Sequence, residues 1–215
     1  MRRDAFTLIE LIITIVIMAG IFSVIPKILS ATSRSDRFEA QQEALMQALS
    51  LTNLAAHLAW DANNSDHLDI LQTQSTNSAL ECNTTIRFRR GSYIGANGRM
   101  CTQPYTASAL QNDGETDYTA YDDIDDFDGS DINVSGRYGI RSRVTYLDDS
   151  IITESADRLT IDLSAATATT ATTNIKKLKT TVRYTGKRGK PRNLGSFTYF
   201  STNIGQISLA NRSWQ

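Results

Sequence analysis

The chain has 215 residues, 40% of them hydrophobic and 21% charged, which fits one folded domain with or without a membrane anchor and excludes global disorder. Its 22 Lys and Arg against 23 Asp and Glu leave a formal net charge of -1, which excludes a uniformly basic nucleic-acid binder but leaves room for a local basic patch. Two cysteines exclude a cysteine-rich scaffold and a four-cysteine zinc site, and a mean hydropathy of -0.29 excludes a polytopic membrane protein.

Most of the strong hydrophobicity lies at the start. From Phe6 to Ile25 the chain is apolar with one charge, Glu10. As a helix this run covers about 30 Å, the thickness of a bilayer core. It is long for a secretory signal peptide, so a spanning helix is the better reading. A carboxylate inside such a span costs roughly several kcal/mol. Glu10 is therefore expected to reach the headgroup layer or, on the sharper reading, to meet a positive group when chains assemble. Arg2 and Arg3 precede the span and Lys27, Arg34 and Arg37 follow it, so charge alone does not set its orientation.

The stretch Phe6-Thr7-Leu8-Ile9-Glu10 behind a short basic leader closely resembles the N-terminal motif of type IV pilins and type II secretion pseudopilins. The resemblance implies an α+β fold, with a long N-terminal helix packed against a C-terminal antiparallel β-sheet domain. It implies a leader over residues 1–5, a membrane-spanning and filament-core helix half over 6–26, an amphipathic helix half over 27–62 and an exported β-rich domain over 63–215. A prepilin peptidase would cut between Ala5 and Phe6 and N-methylate Phe6. The family prefers glycine before the cut, where this chain has the small residue Ala5. Glu10 would pair with the N-terminal amine of a neighbouring subunit. The partners implied are other pilin subunits, the peptidase and the inner-membrane assembly machinery. The N-terminus would stay in the cytoplasm and the C-terminal domain would face the periplasm before joining a filament.

Pro26 is expected to end or kink the apolar helix, because it lacks an N–H and crowds the preceding turn. From Ser35 to about Ala62 the pattern is helical, without Gly or Pro, and Phe38, Leu45, Leu49, Thr52, Ala56 and Ala59 form its expected buried face. Beyond Asn63 the expected strands are Thr84–Arg89, Tyr138–Leu147, Arg158–Leu163, Lys176–Thr185 and Ser196–Leu209, rich in β-branched and aromatic residues. Residues 186–191 read as a hairpin turn, and the Ala- and Thr-rich stretch Ser164–Thr173 as an exposed loop.

Cys82 and Cys101 would form a disulfide in an exported domain, stabilising by about 3 kcal/mol in the chain-entropy model. Nine acids lie between Asp113 and Asp131 without an intervening Lys or Arg, and their centre holds Asp122, Asp123, Asp125, Asp126 and Asp128. These five are candidate calcium ligands, since calcium takes clustered oxygens. The EF-hand spacing is not met, because Ile124 and Ser135 stand where ligands are needed, and the plain alternative is a solvated acidic loop. Segments at Asp122–Gly129, Thr173–Val182 and Asn203–Gly205 are similar to minor pilins of the mannose-sensitive haemagglutinin type. Lys176, Lys177, Lys179, Arg183, Lys187, Arg188, Lys190 and Arg192 form a basic stretch. It suits nucleic acid, an anionic polysaccharide or the acidic loop of a neighbouring subunit, or else is the solvated side of a hairpin.

His57 and His67 lack the spacing of a zincin helix, and no nucleophile elbow, P-loop or dinucleotide fingerprint occurs. The sequence is therefore read as a non-enzymatic structural subunit without a small-molecule substrate. A type II secretion pseudopilin is the nearest alternative. A single-span anchored domain that binds a ligand or calcium without polymerising is the next.

Overall fold

The computed structural model describes residues 7–64, 70–75, 77, 80, 82–83, 88–89, 105–110, 113–155, 158–185 and 191–203. The chain divides into two compact units, Met1–Glu43 and Ala44–Gln215. One α-helix, α1 (Leu8–Ala55), contributes residues to both.

In the first unit every described residue from Thr7 to Glu39 is exposed. The helix begins where the Thr7 carbonyl accepts the N–H groups of Glu10 and Leu11. It does not end at Pro26, contrary to one of the two expectations for that residue. Pro26 brings no N–H to the ladder, so the Phe22 carbonyl receives nothing from position 26. Around it the hydroxyls of Ser23 and Ser30 donate to the carbonyls of Gly20 and Lys27, the hydrogen-bonding outlet of small polar residues inside a helix.

In the second unit the helix buries Ala44, Ala48, Leu51, Thr52 and Ala55, a stripe at helical spacing. This corrects the expected face in part: Phe38 and Leu49 are exposed and Leu45 and Ala56 half-buried, while Thr52 and Ala59 are buried as expected. Most of these buried side chains are small. Leu45 Cδ2 would lie 3.3 Å from a Cβ added to Gly195, so that glycine makes room for it. The helix also stops at Ala55 instead of near Ala62. A tighter turn follows, with the His57 N–H donating to the Leu54 carbonyl. Ala59 then forms a parallel bridge with Asp123, donating to the Asp122 carbonyl and accepting from the Ile124 N–H.

The remaining strands are β1 (Cys82–Asn83), β2 (Phe88–Arg89), β3 (Asp131–Val134), β4 (Tyr138–Leu147), β5 (Ile152–Ser155), β6 (Arg158–Ile161), β7 (Ala168–Thr169), β8 (Ile175–Tyr184) and β9 (Arg192–Thr202). Among the described residues the main sheet is antiparallel, ordered β3-β4-β8-β9, with β7 also on β4; β1 pairs β2 and β5 pairs β6. The three residues between β3 and β4 turn through left-handed backbone at Ser135 (φ 53°) and Gly136 (φ 63°), conformations that Gly adopts without a Cβ clash. The coarse α+β expectation holds: a long apolar N-terminal helix and an antiparallel C-terminal sheet.

Register divides the sheet into two faces. Tyr146 lies opposite Lys176, Val144 opposite Leu178, Ser142 opposite Thr180 and Ile140 opposite Val182, all buried. On the other face Arg143 lies opposite Lys179, both exposed. At one end of that other face Leu80, Leu147, Ile152 and Ile175 make a smaller core, with Phe200 against it.

The stretch Ser164–Thr173 is exposed at half of its residues, but it also supplies β7, and Thr173 is buried with its hydroxyl donating to the Leu147 carbonyl at 2.5 Å. Next to it Asn174 Nδ2 donates to Asp149 Oδ2 at 2.9 Å, and Asn203 clamps Leu71 through both its backbone groups. These buried amides fasten the segment around Leu71 to the start of β8 and the end of β9.

Candidate functional site

Two regions hold the candidate functional residues, one in each unit. In the first, Glu10 sits in the opening turn of α1, and Thr14 Oγ1 donates to its backbone carbonyl. The Leu8–Leu29 stretch is long and apolar enough to cross a membrane, and none of it is buried against the chain's own core. A core helix of a soluble protein would hide such a surface. Ala5 and Phe6 lie outside the described residues, as does Cys101. Only the backbone of Cys82 is described, in β1, so the expected disulfide also falls outside them.

In the second unit the acidic run stays exposed at Asp113, Asp117, Asp122 and Asp131, but its centre is not a solvated loop. Asp123, Ile124, Asp125, Asp126 and Phe127 are buried, and Asp125–Phe127 forms one 3-10 turn. Local bonds hold it. Asp123 Oδ1 accepts the N–H groups of Asp125 (2.5 Å) and Asp126 (3.3 Å), and Asp126 Oδ2 accepts those of Asp122 and Asp123. Tyr121 packs edge-on against Phe127 with ring centres 4.9 Å apart. Asp128 turns toward β4 and accepts the Val144 N–H at 3.0 Å.

The buried acids face Lys176, which is completely enclosed. Its Nζ donates to the Trp60 carbonyl (2.7 Å), to Asp125 Oδ2 (2.8 Å) and to Asp61 Oδ2 (3.0 Å). The ammonium stands 4.1 Å from the centre of the Trp60 ring and 5.2 Å from that of Tyr146, within cation–π range of both. Asp61 also accepts from the backbone N–H groups of Asn63 and Ser108, and Tyr146 Oη donates to the Ser108 carbonyl at 2.8 Å. Asp125 Oδ1 and Trp60 Nε1 have no hydrogen-bond partner among the described residues.

This environment moves protons. Burial pushes the Asp125 carboxyl up to about 6, against the pull of Lys176. Burial, reinforced by the charges of Asp125 and Asp126, pushes Asp123 up to about 8. The same burial, with Asp125 and Asp61 close by, raises the Tyr146 phenol and keeps it a neutral donor. Outside this cluster Glu115 is raised chiefly by its hydrogen bond to Asp113.

Comparison with family models, with curated proteins and with solved structures finds no match. The functional reading therefore stands on the chain's own residues.

The five acids put forward as calcium ligands do not converge. Asp123 and Asp126 bond backbone N–H groups, Asp125 faces Lys176, Asp128 holds β4, and Asp122 is exposed. Among the described residues the acids close enough to share an ion are Asp113, Glu115 and Asp126, only the last being one of the five. The basic stretch is split too. Lys176 points inward, whereas Lys179 joins Arg143 on the exposed sheet face. Sequence reasoning missed Asp61 as a site residue and the inward aim of Lys176. A signal for the latter existed, because Lys176 shares strand parity with Leu178, Thr180 and Val182.

Proposed function

We propose that this chain is a minor type IV pilin-like structural subunit that assembles into a cell-surface filament through its N-terminal helix. The observation that carries the reading is the apolar surface of Leu8–Leu29, wholly exposed in the single chain and interrupted by the one acid, Glu10. Such a surface needs a bilayer or other helices around it. Glu10 needs a positive partner there, because an unmatched carboxylate in an apolar assembly is costly. The motif around Phe6 supplies that partner if the leader is removed: a free terminal amine on the neighbouring subunit. A pseudopilin shares every one of these features. The identity of the genes beside this one separates the two.

Mass spectrometry of the N-terminus tests the reading. A methylated Phe6 terminus supports it, and an intact Met1 reduces the chain to a tethered domain. Replacing Glu10 by Ala should lower incorporation into filaments at least tenfold while the sheet unit keeps its melting temperature. Wild-type levels of incorporation by Glu10→Ala would remove the pairing role.

A further inference from the structure

We propose that Lys176 and Asp125 condense into an intramolecular isopeptide bond, with Asp61 relaying the protons. Lys176 and Asp61 are 0% exposed and Asp125 is 1% exposed, with Nζ at 2.8 Å from Asp125 Oδ2 and 3.0 Å from Asp61 Oδ2. Trp60 and Tyr146 place aromatic rings beside the amine. One ammonium faces two carboxylates, and the two are held differently. Asp61 is fixed by backbone N–H groups of Asn63 and Ser108, as a group that keeps its place through a proton transfer must be. Asp125 has one oxygen on Nζ and the other without a partner among the described residues. Its raised proton affinity lets the neutral acid form, and that form is the electrophile.

The steps balance within the site. Asp61 takes one proton from the Lys176 ammonium and passes it to the Asp125 carboxylate. The freed amine pair attacks Asp125 Cγ, forming the C–N bond. Asp61 then takes a second proton from that nitrogen and hands it to the departing hydroxyl as the C–O bond breaks. One water leaves, the amide keeps one hydrogen on nitrogen, and Asp61 is a carboxylate before and after. No oxidant or co-reactant is required. The driving force is the replacement of two buried ions, each costly to hold away from water, by a neutral amide. The link would join the Asp125–Phe127 turn to β8 covalently, and it does not depend on the filament reading.

Intact-mass measurement and peptide mapping of the purified full chain test the proposal. The chain is expected to be lighter by one water, about 18 Da, with a branched peptide joining Asp125 to Lys176. Lys176→Arg keeps the charge and is expected to restore the full mass, and Asp61→Asn is expected to leave the pair unlinked. A wild-type chain at full mass with a linear peptide containing free Lys176 overturns the proposal, as does a branch at Asp61. The wild-type measurement decides without either variant having to fold.

Discussion

Asp123 is a carboxyl group almost without water, 2% exposed, whose Oδ1 serves the backbone of its own turn. Burial is the chief cause that lifts its proton affinity to about 8, and it acts whether Asp125 and Lys176 stand as an ion pair or as a neutral amide. The folded chain therefore binds this proton more tightly than the unfolded chain does. The resulting stabilisation is full below the ordinary carboxylate range and is lost as pH rises toward about 8. Each such group contributes at most about 1.4 kcal/mol per pH unit in that window. The urea midpoint of the wild type is accordingly expected to fall between pH 5 and pH 8. Asp123→Asn keeps the side-chain oxygen that accepts from Asp125 and Asp126 but cannot ionise. Its midpoint should change less over the same range and lie above wild type at pH 8. An equal pH response in both chains would show that Asp123 does not titrate as its surroundings require.

Elements reveal a second tension, on the exposed face of the sheet. Arg143 on β4 lies directly opposite Lys179 on β8, and like charges so placed repel. Lys179→Glu turns the repulsion into an attraction, and a gain of about 0.5 kcal/mol in urea unfolding is expected. A loss of stability would mean that the positive charge at 179 is needed within the fold. The same register explains what could be read in advance. β4 and β8 begin and end within one residue of expectation, because their β-branched and aromatic residues alternate in long runs. The short β3 was missed because Asp131–Val134 reads as the tail of the acidic run until β4 is there to pair with it. The helix beyond Ser35 was legible from its lack of Gly and Pro, but its buried side was not. Size and hydrophobicity favoured Phe38 and Leu49, whereas the helical positions that are buried are mostly the small residues Ala44, Ala48, Thr52 and Ala55. The Lys176–Asp61 contact joins residues 115 positions apart, and no local pattern encodes a meeting at that separation.

Across the whole molecule, burial starts at one residue. Among the described residues Thr7 to Glu39 bury nothing, and the first fully enclosed side chain is Ala44, after which alanine, leucine and threonine of the same helix are buried. The stabilisation that comes from removing apolar surface from water thus belongs to the unit Ala44–Gln215, and most of the exposed large hydrophobics among the described residues belong to Met1–Glu43. A chain from which residues 1–29 are deleted loses Leu8–Leu29 and keeps every buried helical position. It is expected to stay in solution without detergent and to unfold in a single cooperative step. Its stability should lie within about 0.5 kcal/mol of that of the full chain in detergent, the range of surface changes that touch no packed group. Circular dichroism during urea titration and sedimentation of the two chains provide the measurement. Loss of the cooperative step on deletion would mean that the first unit supports the second, and the separation of anchoring from folding would have to be abandoned.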